Sequence, residues 1–299
     1  MKYQFRDIHL SKKNLEKLDL INSIIEEYQD EGYVLTLRQL YYQLVSRDII
    51  PNQQKEYSKL SILLKEGRMG GIVDWEAIED RMRVPKIPYY VKGIENAIED
   101  TIDQYRLDRQ IGQDTYLEVW VEKDALSGVL SRITNKYHIR IMVNRGYSSV
   151  SAMYDAFMRF RRYGFERNRK VKILYLGDFD PSGLDMIRDI NERIREFSIG
   201  YYSPLKEYNF RVEHIALTKE QIDQYNPPPN PTKVTDPRAK EFIRKHGNTS
   251  WEVDALKPET LNYLLEATIR KNIDVSAFDA MVEKEQIDKD ILRNITTEL

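Results

Sequence analysis

The sequence predicts an α/β protein in two parts: a helical N-terminal domain over residues 1–91, and a domain over residues 92–299 built on a mostly parallel, Rossmann-like sheet. Three observations lead there. Before residue 70, apolar residues recur at helical spacing; between residues 115 and 217, short strand-like runs alternate with helical stretches, the grammar of right-handed βαβ units. Between the two, RVPKIPYY with Pro85 and Pro88 interrupts regular structure and marks the boundary.

Length and composition agree. A chain of 299 residues is about two domains long. With 41% hydrophobic and 31% charged residues and a mean hydropathy of -0.60, a membrane protein is excluded. The start MKYQFRDIHLSKK has no apolar signal core, so a cytoplasmic location is expected. Cysteine is absent and the four histidines (9, 138, 214 and 246) are scattered, which removes disulfides, thiolate nucleophiles and zinc ribbons. Any metal would be a hard ion held by oxygen. The 46 basic and 48 acidic residues nearly cancel, so a phosphate-binding surface has to come from local clustering.

In chain order, Leu15, Leu18, Ile21, Ile25 and Tyr28 form the apolar stripe of a first helix behind a Ser11 cap. LRQLYYQLVSR forms a second, and EYSKLSILLKEG, after the Ile50–Pro51–Asn52 turn, a third. Three short helices followed by GRMGGIVDW as a small wing resemble a winged-helix domain. The pattern fits an ordinary helical bundle equally well. TYLEVWVE, IRIMVN, KVKILYLGD and FRVEHIAL then read as strands, the first three each followed by a helix. YNPPPNPTKVTDPRAKEF is a proline-rich excursion, read as a loop packed across the domain, and the C-terminus is helical. HGNTSWEVDAL holds a polar cluster, His246, Trp251, Glu252 and Asp254, read as a packed loop.

In an open parallel sheet, ligands gather beyond the carboxyl ends of the strands. Three acids fall there: Glu122 after the first strand, Asp178 and Asp180 after the third, with Pro181 and Gly183 opening the next helix. Alternation places Asp178 and Asp180 on one side and Phe179 on the other. Acids that share a crevice repel unless a cation neutralises them. Mg²⁺, which takes carboxylates together with phosphate oxygens, suits them.

A strand ending in Glu, then helix, strand, helix and a strand ending in Asp-x-Asp resembles the Toprim domain of topoisomerases, primases and nucleases. DFDPSGLDM, and VNRGYSSVSAMYDAF before it, are most similar to the topoisomerase VI A subunit and its meiotic double-strand-break relatives. The resemblance implies that Glu122, Asp178 and Asp180 bind metal. A haloacid-dehalogenase phosphatase motif is set aside, because Pro-Ser-Gly follows the aspartates and two βα units precede them.

That family also carries a tyrosine nucleophile in a motif like Arg-Asp-Leu-Tyr-Tyr, to which TLRQLYYQL is similar, with Gln39 at the position of the Asp. Helical projection puts Tyr41 on the apolar stripe, and Tyr42 off it on the flank of Arg38. Arg38 would hold a phosphate or stabilise the phenolate, which is otherwise a weak nucleophile at neutral pH. The resemblance implies a homodimer, with one subunit's tyrosine serving the other's metal, and an ATPase B-type partner for full topoisomerase activity.

Residues 136–172 hold ten basic residues against Asp155 and Glu166, the one clear phosphate-affine stretch. Arg145, Arg159, Arg161 and Arg162 within it, with Lys123, are the candidate contacts to double-stranded DNA. Lys59, Lys65 and Arg68 are candidates in the N-terminal domain, where charges balance.

The leading expectation is therefore Mg²⁺-dependent DNA cleavage by Tyr42 transesterification. A hydrolytic Toprim nuclease and a non-catalytic DNA-binding subunit are the alternatives.

Overall fold

The computed structural model describes residues 2–79, 88–144, 146–201 and 209–297. Arg145 and most of the RVPKIPYY boundary, Pro85 included, lie outside the described residues.

The N-terminal helices form where apolar spacing placed them. Helix α1 (Lys12–Asp30) begins at Ser11, whose hydroxyl accepts from the backbone of Asn14. Helix α2 (Leu37–Ser46) follows the two-residue strand β1 (Leu35–Thr36), and α3 spans Gln54–Met69. Their core joins Leu18, Ile21, Tyr28, Leu40, Leu44, Leu60 and Leu64. The segment expected as a wing does otherwise. Gly71, at a φ of 75°, turns the chain, and β2 (Ile78–Glu79) pairs parallel with β1 instead of closing an antiparallel hairpin. Gln4 bridges Gly70 from the other side, so the backbone groups after the turn find partners other than a wing.

After α4 (Ile94–Gln104) come the four strands, β3 (Thr115–Val121), β4 (Arg140–Val143), β5 (Lys170–Leu176) and β6 (Phe210–Ala216). They form one sheet in the order β4-β3-β5-β6, with every neighbour parallel. The long apolar runs of β3 and β5 belong to strands covered on both faces. Leu117, Val119, Val121, Leu174 and Leu176 pack on the side of α5 (Asp124–Tyr137) and α10 (Pro258–Asn272). Tyr116, Trp120, Ile173 and Tyr175 face α6 (Val150–Tyr163) and α7 (Pro181–Gly200). The shorter helices α8 (Lys219–Tyr225) and α9 (Ala239–His246) lie between β6 and α10, separated by the β7 (Asn230–Pro231) strand of the proline-rich excursion. Strand β8 (Thr249–Ser250) pairs antiparallel with β7, and helix α11 (Val275–Thr297) follows α10.

Among the described residues, no helix is long and apolar enough to cross a membrane. Ala255, far along the chain, packs into the core of the N-terminal helices. That contact brings the 251–255 segment between the two parts.

Candidate active site

Strands β3 and β5 end side by side. The Glu122 amide donates to the Leu176 carbonyl at 3.0 Å, so Glu122 starts one step beyond the last residue of β5. Its carboxylate accepts from the Asp178 amide, again at 3.0 Å. Asp180 caps α7, its carboxylate accepting from the Gly183 amide at 2.7 Å and the Ser182 hydroxyl at 2.8 Å, with Pro181 at the first helical position. Gly183 is required for this turn, because a Cβ there would lie 2.2 Å from the Asp178 carbonyl oxygen.

Between the aspartates, Phe179 is buried against Phe242, His246 and Trp251. It is turned away from the acids, as alternation requires. Its backbone pairs with Trp251 in both directions, at 2.8 and 3.1 Å, and Asp178 Oδ1 accepts from the Val253 amide at 2.9 Å. The segment read as a packed loop is thus laid along the Asp-x-Asp turn, and it brings two more carboxylates. Glu252 and Asp254 carry the same two-residue spacing as Asp178 and Asp180, a signal the sequence held and composition alone did not raise.

Two cations meet this group. Lys123 Nζ lies 2.9 Å from Asp178, 2.7 Å from Glu252 and 2.9 Å from Asp254. Arg38, reaching across from α2, pairs with Asp254 at 2.7 Å and with Glu252, and its guanidinium stands 5.7 Å from the Tyr42 ring centre. The Tyr42 hydroxyl donates to Glu252. Lys123 and Arg38, expected to meet phosphate, are therefore held by carboxylates of their own chain.

Charge and burial set the proton affinities. Burial pushes Asp178 up to about 8; Lys123 opposes this, while Glu122 and Asp254 add to it. Burial also raises Glu122, with Asp180 and Asp254 contributing. Burial works against the ionised form of Glu252, but Lys123 and Arg38 outweigh it and hold that carboxyl down at about 2. Tyr42 is pushed far above the ordinary phenol value, first by burial and then by Asp254 and Glu252, against Arg38.

The Glu252 shift has a sign that can be tested. A carboxyl held below its unfolded value stabilises the fold above about 4.5 and loses that contribution as pH falls towards 2. Urea midpoints measured from pH 5 to pH 2.5 are expected to fall less steeply in Glu252→Gln than in the parent chain. Parallel curves would mean that Glu252 is not held by these cations.

The burial of Tyr42 corrects the helical projection. It is 4% exposed, as buried as Tyr41, because α2 is covered on two sides: one flank joins the helical core, and the other meets residues 253–255. Gln39 has a local role. It closes a capping box with Thr36, the Thr36 amide donating to its side chain at 2.9 Å. A cavity of about 230 Å³ opens beside Arg38, Tyr42, Asn52, Tyr57, Asn230 and Glu252.

As placed, the acids do not yet form a metal cage. Among the described residues, no three His, Asp or Glu side chains are grouped so as to hold a metal ion. Their chemistry nevertheless fits a hard cation: the donors are all oxygen, Asp178 is buried and Glu122 and Asp180 are half-buried, and burial and neighbouring carboxylates raise the affinity of Glu122 and Asp178 for a positive charge. Asp178 and Asp180 bond through Oδ1, and Glu122 through Oε2.

The expected DNA contacts fall elsewhere. Arg159 is bound to the buried Glu118 at 3.0 and 3.1 Å. Arg161 pairs with Glu166 at 2.8 Å, and Arg162 lies over Tyr163. All three sit in the second half of α6, which runs back towards the amino ends of the strands, so this basic stretch does not line the edge where the acids are. Lys59 pairs with Glu56 at 2.6 Å. Arg68 donates to the carbonyls of Ile78 and Trp75, at 2.6 and 3.2 Å, which fixes the β2 turn. Lys65 borders a cavity with Leu37, Leu64 and Trp75.

The chain matches no known family model and no curated protein sequence.

Proposed function

We propose that this chain is a Mg²⁺-dependent enzyme that cleaves duplex DNA, with Glu122, Asp178 and Asp180 as its metal-binding carboxylates. The observation that carries this reading is the pairing of half-buried Glu122 with buried Asp178 at the carboxyl edge of a parallel sheet, joined by a hydrogen bond from the Asp178 amide, with burial and neighbouring carboxylates favouring the protonated form of each. Bound there, Mg²⁺ would lower the pKa of a water and offset charge on the phosphate oxygens.

Two nucleophiles are available, and the resting geometry favours water. The Tyr42 hydroxyl is buried, its phenolate is disfavoured, and it donates to a carboxylate too acidic to remove its proton. Arg38 is occupied by Glu252 and Asp254. In the hydrolytic reaction the water oxygen bonds to phosphorus, the bond from phosphorus to one sugar oxygen breaks, and that oxygen leaves with a proton. Lys123 keeps Glu252 and Asp254 drawn against the Asp178 turn while this happens.

The second reading, a topoisomerase VI A-like transesterase, is favoured by the cavity beside Tyr42 and Arg38. In it the Tyr42 oxygen bonds to phosphorus and one DNA end stays attached to the protein. Tyr42 joins Asp178 through Glu252 and Lys123 within one chain, so attack on a phosphate held by its own acids would need no second copy. The homodimer that the resemblance implies is therefore not required by this arrangement, and an ATPase B-type subunit belongs to this second reading.

A denaturing gel of end-labelled duplex after incubation with Mg²⁺ separates them. Water attack yields free ends at equal rates in the parent and in Tyr42→Phe; tyrosine attack yields a protein–DNA adduct that Tyr42→Phe abolishes. Absence of cleavage in both proteins, with Mg²⁺ and with Mn²⁺, would overturn the proposal.

A further inference from the structure

At the opposite end of the sheet from the acids, three guanidinium groups gather on one ring. Arg140 from β4, Arg162 from α6 and Arg167 from the turn that follows lie 4.6, 5.3 and 5.5 Å from the centre of Tyr163. Tyr163 is itself stacked on Tyr116, at 6.0 Å and 16°. Arg140 also donates to the Tyr116 hydroxyl at 2.9 Å, and Arg169 lies 5.7 Å from the Tyr116 ring centre.

Two of the nearby carboxylates are already taken. Glu118 is held by Arg159 and Glu166 by Arg161. Arg140, Arg162 and Arg167 are exposed, and among the described residues they lie against rings and a phenol hydroxyl. Crowding three like charges is unfavourable unless an anion joins them. Stacked guanidinium planes keep their N–H edges free for the paired hydrogen bonds that phosphate accepts. A cavity of about 520 Å³ opens here, lined by Arg140, Arg159, Arg161, Arg162, Tyr163 and Glu166, the last paired with Arg161.

We propose that this arginine–tyrosine cluster binds the phosphate backbone of DNA, as a site separate from the acid edge. The proposal rests on the DNA reading above and gives that substrate a second point of attachment. No two of the three guanidinium groups are farther apart than about 11 Å, a length of duplex carrying about six phosphates. The eight steps from Lys170 to Asp178 span about 26 Å at ~3.3 Å per residue. DNA held at the cluster therefore lies some seven base pairs or more from the bond being cut.

The test is fluorescence anisotropy with a 40-base-pair duplex, without divalent cation, between 50 and 200 mM salt. Arg162→Ala/Arg167→Ala is expected to bind at least ten-fold more weakly at 100 mM salt. The slope of log affinity against log salt should flatten by about two, near 0.9 for each lost phosphate contact. The double lysine variant should recover most of that slope. Both side chains are exposed, so thermal unfolding should not move. Unchanged affinity and slope in the alanine variant would overturn the proposal. The two ideas fail independently: weakened binding without any cleavage by the parent sinks the enzyme reading alone, and normal cleavage with unaltered binding sinks the cluster alone.

Discussion

Asp178→Asn is expected to lower Mg²⁺-dependent cleavage of duplex DNA by about 100-fold or more while raising the unfolding temperature. The first effect follows from the proposed role. Altering groups that only orient a metal ligand typically costs about 10–100-fold, and Asp178 would be a ligand itself. The second follows from its proton affinity. Burial and the neighbouring Glu122 and Asp254 lift this carboxyl to about 8, well above its value in an unfolded chain. The folded state then binds a proton that the unfolded state releases, so stability declines as pH rises from about 4 to about 8. An amide has no proton to lose and removes that decline, and its oxygen can still accept from Val253 and Lys123. Cleavage assays beside thermal scans at pH 6 and pH 8 check both halves, and the stabilisation should be larger at pH 8. Parent-level cleavage would remove Asp178 from the site. Lost cleavage with a lower unfolding temperature would make it a structural residue.

Much of this arrangement was legible because local patterns and the sheet agree. The runs TYLEVWV and KVKILYL are mostly apolar and hold Leu, Val, Ile and Tyr on both faces, as strands covered on both sides require, and their last residues place Glu122 and Asp178 within one hydrogen bond of each other. Pro181 and Gly183 announced the start of α7 for reasons of backbone geometry alone.

What was not legible depends on contacts distant in sequence. Tyr42 was assigned to an open flank because a helical projection knows only its own helix. The partners that bury it, Glu252 and residues 253–255, lie more than 200 positions away. Arg159 read as a free cation because Glu118, inside an apolar strand, gave no sign that it would be the buried carboxylate needing a partner. The basic stretch was legible as charge alone, and the end of the sheet it occupies follows from α6, which carries its arginines back along the sheet.

Lys123→Ala is expected to destabilise the fold by about 3–5 kcal/mol, the cost of leaving buried charges without their partner. Lys123 is 17% exposed, and its ammonium is within 2.9 Å of Asp178, Glu252 and Asp254, the last fully buried. Among the described residues, removing it leaves Arg38 paired with Glu252 and Asp254 and no cation paired with Asp178. At about 2–4 °C per kcal/mol for a chain of this size, the unfolding temperature at pH 7 should fall by roughly 10 °C. The loss should depend on pH in a definite direction. With the ammonium gone, the buried acids favour their protonated forms, so the folded state binds more protons than the unfolded one, and stability falls as pH rises. The gap from the parent should widen between pH 5 and pH 8. Lys123→Ala combined with Asp254→Asn should recover part of the loss, because one of the stranded charges is removed with its partner. A gap that stays constant with pH, or a double variant weaker than the single, would show that Lys123 acts through the packing of its methylenes. In that case, the carboxylates of the 251–255 segment would need another source of neutralisation.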